Sequence, residues 1–477
     1  MAIAADLRTQ ATGIEIFRTP GLGDSSYLVV SGSEAAIVDP QRDGWRFVDA
    51  ATRSGVRIRA VLETHVHNDY VSGALEIRAA TAAEIVAPAR GRYEFQHRRV
   101  EEGDFVEIGG HRLTCLETPG HTREHVAWQL TDIHAPGADP IAVFSGGSLL
   151  AGSVGRTDLA GASETAALTR AQYRSIRRLA ALPGSVRLLP THGGGSFCSG
   201  RPGVSGSEAG STIELERAGN QLLQIDDPEV FSRNLLGNLS VVPGYSASIA
   251  TINRTGPRLL GGSPSPAALT PADVARLSAS GAWIVDTRDR MAFANAHVQG
   301  SINVEGSGSF ASYVGSVVPF DAPIVLIVPG SSATVAADLA LELARIGYEH
   351  VLGALHGGIE RWVSVGRPVV QYPAFPVATL IAETPSPDAG PILDVRQPAE
   401  WRDGVIPGST TISLADLPAR VSEIAYSASR AGAQVTVVCQ SGGRAAVAAS
   451  LLERAGISVR LVASGGARDW LAGQDLR

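Results

Sequence analysis

Four histidines stand in loops that follow predicted strands, where imidazoles from different strands could meet. His65 and His67 lie in THVHNDY, directly after the strand RIRAVLE, and Asp69 follows at the start of a predicted helix. In an extended loop residues two apart point to the same side, so we expect His65 and His67 to do so. His121 follows the strand RLTCLE, and His192 follows the strand VRLLP. Imidazoles gathered at strand ends can bind zinc or iron, so the pattern predicts a metal site.

A second constellation surrounds Cys439, which lies between an apolar strand over Val435–Val438 and a helix over Ala445–Arg454. The N–H groups of such a loop and the positive end of the helix stabilise a thiolate, and then the added sulfur of a persulfide. Arg444 ends the loop with a planar fork suited to thiosulfate or sulfite. We therefore predict Cys439 and Arg444 as catalytic residues. The substrate-binding loop between them consists of Gln440, Ser441, Gly442 and Gly443.

The other two cysteines point less clearly to chemistry. Cys115 lies within a predicted strand and is expected in the core. Cys198 follows the loop of His192, where packing is the expected role and a sulfur relay is the alternative. Three widely spaced cysteines do not form a disulfide framework, so we expect a reducing, cytoplasmic location.

The elements that position these residues fall into a larger N-terminal region and a repeat. Short β-branched runs alternate with turns up to about residue 200, and helical patterns lie between some of them. Residues 283–304 then parallel 392–413, and 323–351 parallel 434–462. Each unit reads strand–loop–helix, which is typical of a small parallel α/β domain. The predicted divisions are a domain over 1–255, a linker over 256–271 and two related domains over 272–372 and 376–477.

Composition excludes several classes of protein. The chain has 477 residues, 44% hydrophobic and 18% charged, which indicates folded domains with sizeable cores. Its net charge of -7 argues against nucleic acid or an anionic membrane as a partner. The sequence contains no lysine, which excludes a lysine Schiff base and a P-loop lysine. An apolar stretch of the ~18 residues that span a bilayer is also absent, and no signal peptide is expected.

The histidine segments resemble the metallo-β-lactamase superfamily, and within it the persulfide dioxygenases fused to rhodanese domains. The motifs are VDPQRD, LETHVHNDYVSG, TPGHTREH, GRTDL and LPTHGGGSFCSG, with STIELERAGN and ATINRTGP in the connecting segment. The resemblance implies an αββα sandwich and one metal ion per chain held by two histidines and one aspartate. It places the histidines at His65 and His121. It favours Fe(II), with zinc as the alternative, and implies a homo-oligomer.

Two departures from that family fall on the metal site. Tyr70 stands where the last histidine of the H-x-H-x-D-H loop usually stands. The motif F-[ST]-G-D, which supplies the aspartate, ends here in Gly147. An altered site could be completed by His67, Asp69 or His192, Asp158 of the GRTD motif could move in, or the site could be empty. We expect Gly147→Asp to restore the carboxylate if the cavity can hold it.

The C-terminal repeat resembles rhodanese domains. The motifs are ILDVRQPAEW, VIPGSTTIS, VVCQSGGR and SGGARDW, with Val405 where the family usually has histidine. Asp394 and Arg396 match a structural ion pair of that family. The loop of the first repeat, over 328–333, has neither cysteine nor arginine. We therefore expect that domain to be an inactive spacer that organises the other two.

Three functions follow from these patterns. The leading one is O₂-dependent oxidation of a low-molecular-weight thiol persulfide to sulfite, coupled to transfer of sulfane sulfur through Cys439, with thiosulfate or sulfite as partner. The second is a zinc-dependent thioester hydrolase of the glyoxalase II type. The third is an N-terminal scaffold that has lost catalysis and carries a working sulfurtransferase.

Overall fold

The computed structural model describes residues 12–19, 21–193, 196–200, 210–383 and 390–474. The chain forms two compact units. The first is made of Met1–Leu239 with Ser246–Ser263, and the second of Ser240–Tyr245 with Pro264–Arg477. Across the described ranges, no helix is long and apolar enough to cross a membrane.

The first unit contains a six-stranded sheet that begins antiparallel and continues parallel. Its strands, in spatial order, are Thr12–Thr19, Asp24–Ser31, Glu34–Val38, Arg57–Leu62, Glu84–Pro88 and Arg98–Val100. Val38 and Leu62 are paired at the carboxyl ends of their parallel strands. The segments that follow them therefore leave the sheet at the same edge.

A second six-stranded sheet faces the first. Its strands, in spatial order, are Ser211–Thr212, Arg187–Pro190, Ala142–Gly146, Val126–Asp132, His111–Glu117 and Phe105–Ile108. The pairing is antiparallel except between Ala142–Gly146 and Arg187–Pro190, which run parallel with Gly146 opposite Pro190. Gly147 and His192 therefore follow neighbouring strand ends.

The two sheets pack face to face and are covered by helices. Tyr27 of the first sheet and Phe144 of the second lie in their shared core, with ring centroids 5.1 Å apart. Leu28 points the other way, toward the helices, because side chains alternate along a strand. The predicted αββα sandwich is thus confirmed. The helices of this unit are Trp45–Arg53, Ala74–Thr81, Ala162–Ala180, Ile213–Gly219, Pro228–Gly237 and Ser246–Thr255, with a short 3₁₀ turn at Ala89–Gly91 and a two-stranded sheet of Leu149–Leu150 and Ser153–Val154.

The second unit contains two five-stranded parallel sheets with the same strand order. One consists of Ala268–Leu269, Val351–Leu355, Ile324–Ile327, Trp283–Asp286 and Ile302–Asn303. The other consists of Ala374–Pro376, Val459–Ser464, Val435–Val438, Ile392–Asp394 and Thr410–Thr411. The repeat in the sequence is therefore a repeat of the fold, and the predicted parallel α/β domains are confirmed.

An ion pair recurs at the same place in both repeats. Arg396 binds Asp394 at 2.7 Å with both side chains fully buried, and Arg288 binds Asp286 at 2.6 Å. Each pair fixes the chain as it leaves a central strand, which is a structural role. The helices of the first repeat are Pro271–Ala279, Arg290–Asn295, Phe310–Val317, Ala333–Arg345 and Gly358–Ser364, with a 3₁₀ turn at Pro329–Ser331. Those of the second are Val377–Glu383, Pro398–Trp401, Leu417–Ala431, Gly443–Arg454 and Ala467–Gln474.

Candidate functional site

All four predicted histidines are buried in loops that follow strands of the two facing sheets. His67 is 1% exposed, and His65, His121 and His192 are 0% exposed. Buried imidazoles need hydrogen-bond partners or an ion, because water does not reach them. Their partners therefore show which of them are available as ligands.

His65, His121 and His192 come together at one point. Nε2 of His65 lies 3.3 Å from Nε2 of His192, and one ligand atom from each of the three rings lies within 4.8 Å of the others. Two nitrogens that each bind one ion at about 2.1 Å are about 3.0–3.4 Å apart for angles between octahedral and tetrahedral. Nε2 of His121 is buried with no hydrogen-bond partner. The spacing and this unpartnered nitrogen both fit a shared metal ion.

The tautomer of His121 is fixed by the hydrogen bond that its Nδ1 makes. Nδ1–H donates to the carbonyl oxygen of Arg156 at 2.8 Å, which leaves Nε2 unprotonated. Burial, and then the charge of His192, lower the pKa of His121 to about 3. The ring is therefore a neutral imidazole at physiological pH, as a metal ligand must be.

His65 is oriented by a short relay of hydrogen bonds. The Thr64 hydroxyl donates to Oδ2 of Asp39 at 2.8 Å, so the hydroxyl oxygen of Thr64 accepts from Nδ1–H of His65 at 2.8 Å. Asp39 also accepts the N–H of Thr64 at 2.7 Å. Burial lowers the pKa of His65 well below its usual value. His65 therefore also presents an Nε2 lone pair to the cluster.

His192 is backed by two buried carboxylates. Its Nδ1 lies 3.0 Å from Oδ1 of Asp24 and 3.0 Å from Oδ2 of Asp69. Burial alone would lower the pKa of His192, but Asp69 and Asp24 outweigh it and raise that pKa to about 9. A metal ion that binds His192 must therefore displace a proton from Nε2. A carboxylate behind a histidine is the usual arrangement around a ligating imidazole.

His67 belongs to a different network, although its ring centroid is 4.1 Å from that of His65. Its Nε2 lies 3.2 Å from Asp39, 3.3 Å from Glu63 and 3.1 Å from the Tyr70 hydroxyl. Burial lowers the pKa of His67, but the two carboxylates outweigh it and raise that pKa well above its usual value. Nε2 of His67 is therefore taken up by this network.

Two further groups of side chains are also close enough to hold an ion. They are His67 with Asp69 and His192, and Asp39 with Glu63 and His67. In these groups Nε2 of His67 and Nδ1 of His192 are paired with carboxylates, whereas Nδ1 of His67 and Oδ1 of Asp69 are buried without a hydrogen-bond partner. We take His65, His121 and His192 as the candidate metal site, because Nε2 of His65 lies 3.3 Å from Nε2 of His192 and Nε2 of His121 has no hydrogen-bond partner.

The Gly147 position has no room for the carboxylate that sequence comparison expects there. A Cβ atom on Gly147 would lie 2.2 Å from Cδ2 and 2.7 Å from Nε2 of His121. Gly147→Asp could therefore restore the site only if the His121 ring moves. Asp158 binds Arg156 at 2.7 Å, and it is in none of the three groups found among the described residues.

Two side chains that sequence reasoning left without a role shape this cavity. The N–H of Gly147 donates to Nε2 of His125 at 2.8 Å, and the His125 ring is stacked on His65 at 4.9 Å. Gln172 accepts the N–H of His121 at 3.1 Å and donates to the carbonyl oxygen of Ser148 at 2.9 Å. His125 lies in the quoted TPGHTREH motif, whereas Gln172 lies in a helix without any local sign of function.

Cys439 lies where the sequence predicts, between the strand Val435–Val438 and the helix Gly443–Arg454. The residue is 1% exposed, and its Sγ accepts the N–H of Gly442 at 3.2 Å. Gly442 has φ 93°, and a Cβ there would lie 2.1 Å from the carbonyl oxygen of Ala463. Only glycine fits this turn, which aims a donor at the sulfur. That contact can stabilise a thiolate or persulfide.

Arg444 is already paired within the protein. Its Nη1 and Nη2 bind the two carboxylate oxygens of Glu400 at 2.5 Å and 2.9 Å. Burial would lower the pKa of Arg444, but Glu400 outweighs it and raises that pKa. The fork expected to clamp an oxyanion therefore faces Glu400, and anion binding by Arg444 stays a prediction.

The remaining cysteines are buried and unsuited to carry sulfur. Burial raises the pKa of Cys115 to about 12. Burial, and then the carboxylate of Asp69, raise the pKa of Cys198 well above its usual value. Both thiols therefore stay protonated, which favours packing over a sulfur relay.

The sandwich and its buried histidines define a metallo-β-lactamase fold, and the comparisons with known proteins agree. Residues 19–192 match the metallo-beta-lactamase superfamily, and residues 270–365 and 378–472 match the rhodanese-like domain. The chain belongs to the metallo-β-lactamase superfamily through its first unit, and two rhodanese-like domains follow.

Relatives and a solved structure show how far the similarity extends. A hydroxyacylglutathione hydrolase of Maricaulis maris is 30% identical over 231 residues, 43% of this chain and 82% of that protein. A hydroxyacylglutathione hydrolase of Methylobacillus flagellatus is 32% identical over 168 residues. This match covers 35% of this chain and 60% of that relative. The crystal structure of a metallo-beta-lactamase from Staphylococcus aureus subsp. aureus COL has a TM-score of 0.64 and 26% identity, covering 73% of this chain and 99% of that one.

Proposed function

We propose that the chain is a bifunctional sulfur-metabolism enzyme. Its first unit would oxidise a low-molecular-weight thiol persulfide with O₂, and its last domain would transfer sulfane sulfur through Cys439. One observation supports this above all: the same chain holds a buried three-histidine cluster and a thiol in a loop that points an N–H at its sulfur. Sulfur chemistry in one half makes a sulfur substrate the natural choice for the other.

The oxidation half is balanced as RSSH + O₂ + H₂O → RSH + SO₃²⁻ + 2 H⁺. The outer sulfur loses the four electrons that O₂ gains, and the thiol is released unchanged. An iron ion bound by His65, His121 and His192 would supply the redox chemistry that brings O₂ and the persulfide together. Nε2 is unprotonated in His65 and His121, and a metal ion would displace the proton from Nε2 of His192. Burial of the three rings excludes bulk water.

The transfer half would use the Cys439 thiol and the N–H of Gly442. The Cys439 thiolate attacks the outer sulfur of thiosulfate, forms a Cys439 persulfide and releases sulfite. An acceptor thiolate or cyanide then attacks that sulfur and frees Cys439. The Gly442 N–H at 3.2 Å from Sγ stabilises the negative charge before and after the transfer. The reverse direction would make thiosulfate from sulfite, the product of the first unit.

A thioester hydrolase is the second candidate, because relatives at 30–32% identity are named hydroxyacylglutathione hydrolases. Zinc at the same histidines would serve hydrolysis. A third candidate is a first unit without catalysis, supported by Gly147 at the place where a carboxylate is expected.

Metal analysis of the purified full chain, combined with two assays, separates these functions. We expect about one iron per chain, O₂ uptake with glutathione persulfide or another thiol persulfide, and no hydrolysis of a hydroxyacyl thioester. Zinc with thioester hydrolysis would support the hydrolase. No metal after anaerobic reconstitution with Fe(II) and Zn(II) would support the scaffold. Thiosulfate:cyanide transfer tests the last domain separately.

A further inference from the structure

The loop of Cys439 receives an arginine from the repeat that has no cysteine. Arg290 opens the helix Arg290–Asn295, and its Nη1 donates to the carbonyl oxygen of Ser441 at 2.7 Å and to that of Ala463 at 3.3 Å. Ser441 lies in the loop, and Ala463 lies in the adjacent strand. One guanidinium thus joins the loop to the strand beside it.

Arg290 is itself held in place by a carboxylate of its own domain. Its Nε and Nη2 bind the two oxygens of Glu305 at 2.8 Å and 2.6 Å, and its backbone N–H binds Glu305 at 2.9 Å. The two side chains are only 20% and 23% exposed. A bidentate pair fixes the plane of the guanidinium, so Nη1 is aimed at the loop before any substrate arrives.

The arginine lies against the turn that serves the sulfur. A Cβ on Gly442 would lie 2.4 Å from Nη1 of Arg290, and one on Gly443 would lie 3.8 Å from Nη2. Gly442 is the residue whose N–H points at Sγ of Cys439. A displacement of Arg290 would therefore release the backbone that holds this donor.

We propose that Arg290, supplied by the cysteine-free domain and anchored by Glu305, is a positioning residue for sulfur transfer at Cys439. The proposal rests on the transfer half of the proposed function and not on the metal centre. Other groups around the thiol are the Arg444–Glu400 pair and Tyr313, whose ring would lie 3.9 Å from a Cβ on Gly443. The positive charge of Arg290 adds to the potential that favours a thiolate.

This assigns the cysteine-free domain more than the spacer role expected from its sequence. The loop of this domain over 328–333 has no thiol, but Arg290 of the same domain binds the Cys439 loop of the neighbouring domain.

The test is Arg290→Gln in the full chain, with steady-state thiosulfate:cyanide transfer measured from pH 5 to 10. We expect kcat/KM for thiosulfate to fall about 10- to 100-fold, as for loss of a charge-assisted hydrogen bond. The acid limb of the profile should move up by about one pH unit, because the thiolate loses support. Arg290→Lys keeps the positive charge but lacks the planar guanidinium. We expect its acid limb to move less than that of Arg290→Gln, but its kcat/KM for thiosulfate to stay nearly as low. Arg276→Gln is the matched control, since Arg276 is 66% exposed and pairs with Asp273 of the same domain.

Several outcomes would overturn the proposal. Arg290→Gln with kcat/KM within twofold of the wild type and an unmoved acid limb would do so, as would an equal loss in Arg276→Gln. If Arg290→Gln does not fold, Glu305→Gln decides, because it removes the anchor and keeps the charge; a rate like that of the wild type would refute the role. If the wild type has no transfer activity, so that Cys439→Ser changes nothing, the proposed function is refuted instead.

Discussion

Replacement of Gly147 is the sharpest test of the three-histidine site. A Cβ at this position would meet the His121 ring at 2.2 Å from Cδ2, where ordinary contacts begin at 3.4 Å. The ring must therefore move by more than about 1 Å, whereas metal–ligand distances tolerate only about 0.2 Å. Gly147→Asp should thus lower metal affinity, although it adds the carboxylate found in persulfide dioxygenases.

The cost in stability follows from the same contact. Overpacking of a close-packed interior costs about 1–3 kcal/mol. Displacement of the ring also breaks the bond from His121 Nδ1 to the Arg156 carbonyl oxygen, which contributes about 1 kcal/mol. We expect the unfolding transition of the first unit to lose about 2–4 kcal/mol, with the transition of the second unit unchanged.

The assay is metal content after anaerobic reconstitution, with scanning calorimetry of the apo and reconstituted protein. Gly147→Ala separates the effect of volume from that of charge, and Gly219→Asp is the control, because a Cβ on Gly219 meets nothing within 4 Å. Both substitutions at Gly147 should bind less metal than the wild type, and the control should match the wild type. Tighter metal binding by Gly147→Asp, together with loss in Gly147→Ala, would refute the reasoning, since the carboxylate would then have entered the site.

Three further substitutions test the remaining assignments. Cys439→Ser should abolish thiosulfate:cyanide transfer and leave O₂ uptake with persulfide intact; residual transfer above a few per cent would mean that another thiol carries sulfur. Asp24→Asn should weaken metal binding about 10- to 100-fold, measured by chelator competition, because it removes a carboxylate 3.0 Å from Nδ1 of His192. Arg444→Lys should raise KM for thiosulfate about tenfold, because lysine cannot reproduce the fork, which Glu400 now orients. An unchanged KM would exclude Arg444 from anion binding.

The fold could be predicted because its signals are local. Strand-length apolar runs such as RIRAVLE are bounded by turns, and the observed strand Arg57–Leu62 agrees with the prediction. The repeat of 283–304 in 392–413 indicated two copies of one domain, and both copies have the same strand order. Local patterns do not show which strands become neighbours, so the sandwich came from family resemblance.

The site could be predicted only in part, because burial and charges from distant parts of the sequence determine which histidines are available as ligands. Spacing placed His65 and His67 on one side, and their rings are indeed adjacent at 4.1 Å. It could not show that Asp39 and Glu63 would take Nε2 of His67, since Asp39 lies in another loop. The pairing of Arg290 with the carbonyl oxygen of Ser441 spans 151 positions and leaves no local pattern.

The charges around the histidine cluster bear on how it would bind a divalent ion without a carboxylate ligand. A divalent ion keeps one positive charge when held by two imidazoles and a carboxylate, and two when held by three neutral imidazoles. In this chain Asp24 and Asp69 lie directly behind His192, at 3.0 Å from Nδ1. A carboxylate about 7 Å from a divalent ion still contributes about 5 kcal/mol at an effective dielectric constant of about 20. We infer that Asp24 and Asp69 supply the negative charge that a carboxylate ligand would otherwise provide. They act through His192, which lies between them and the metal site. The absence of a side chain at Gly147 leaves room for the His121 ring.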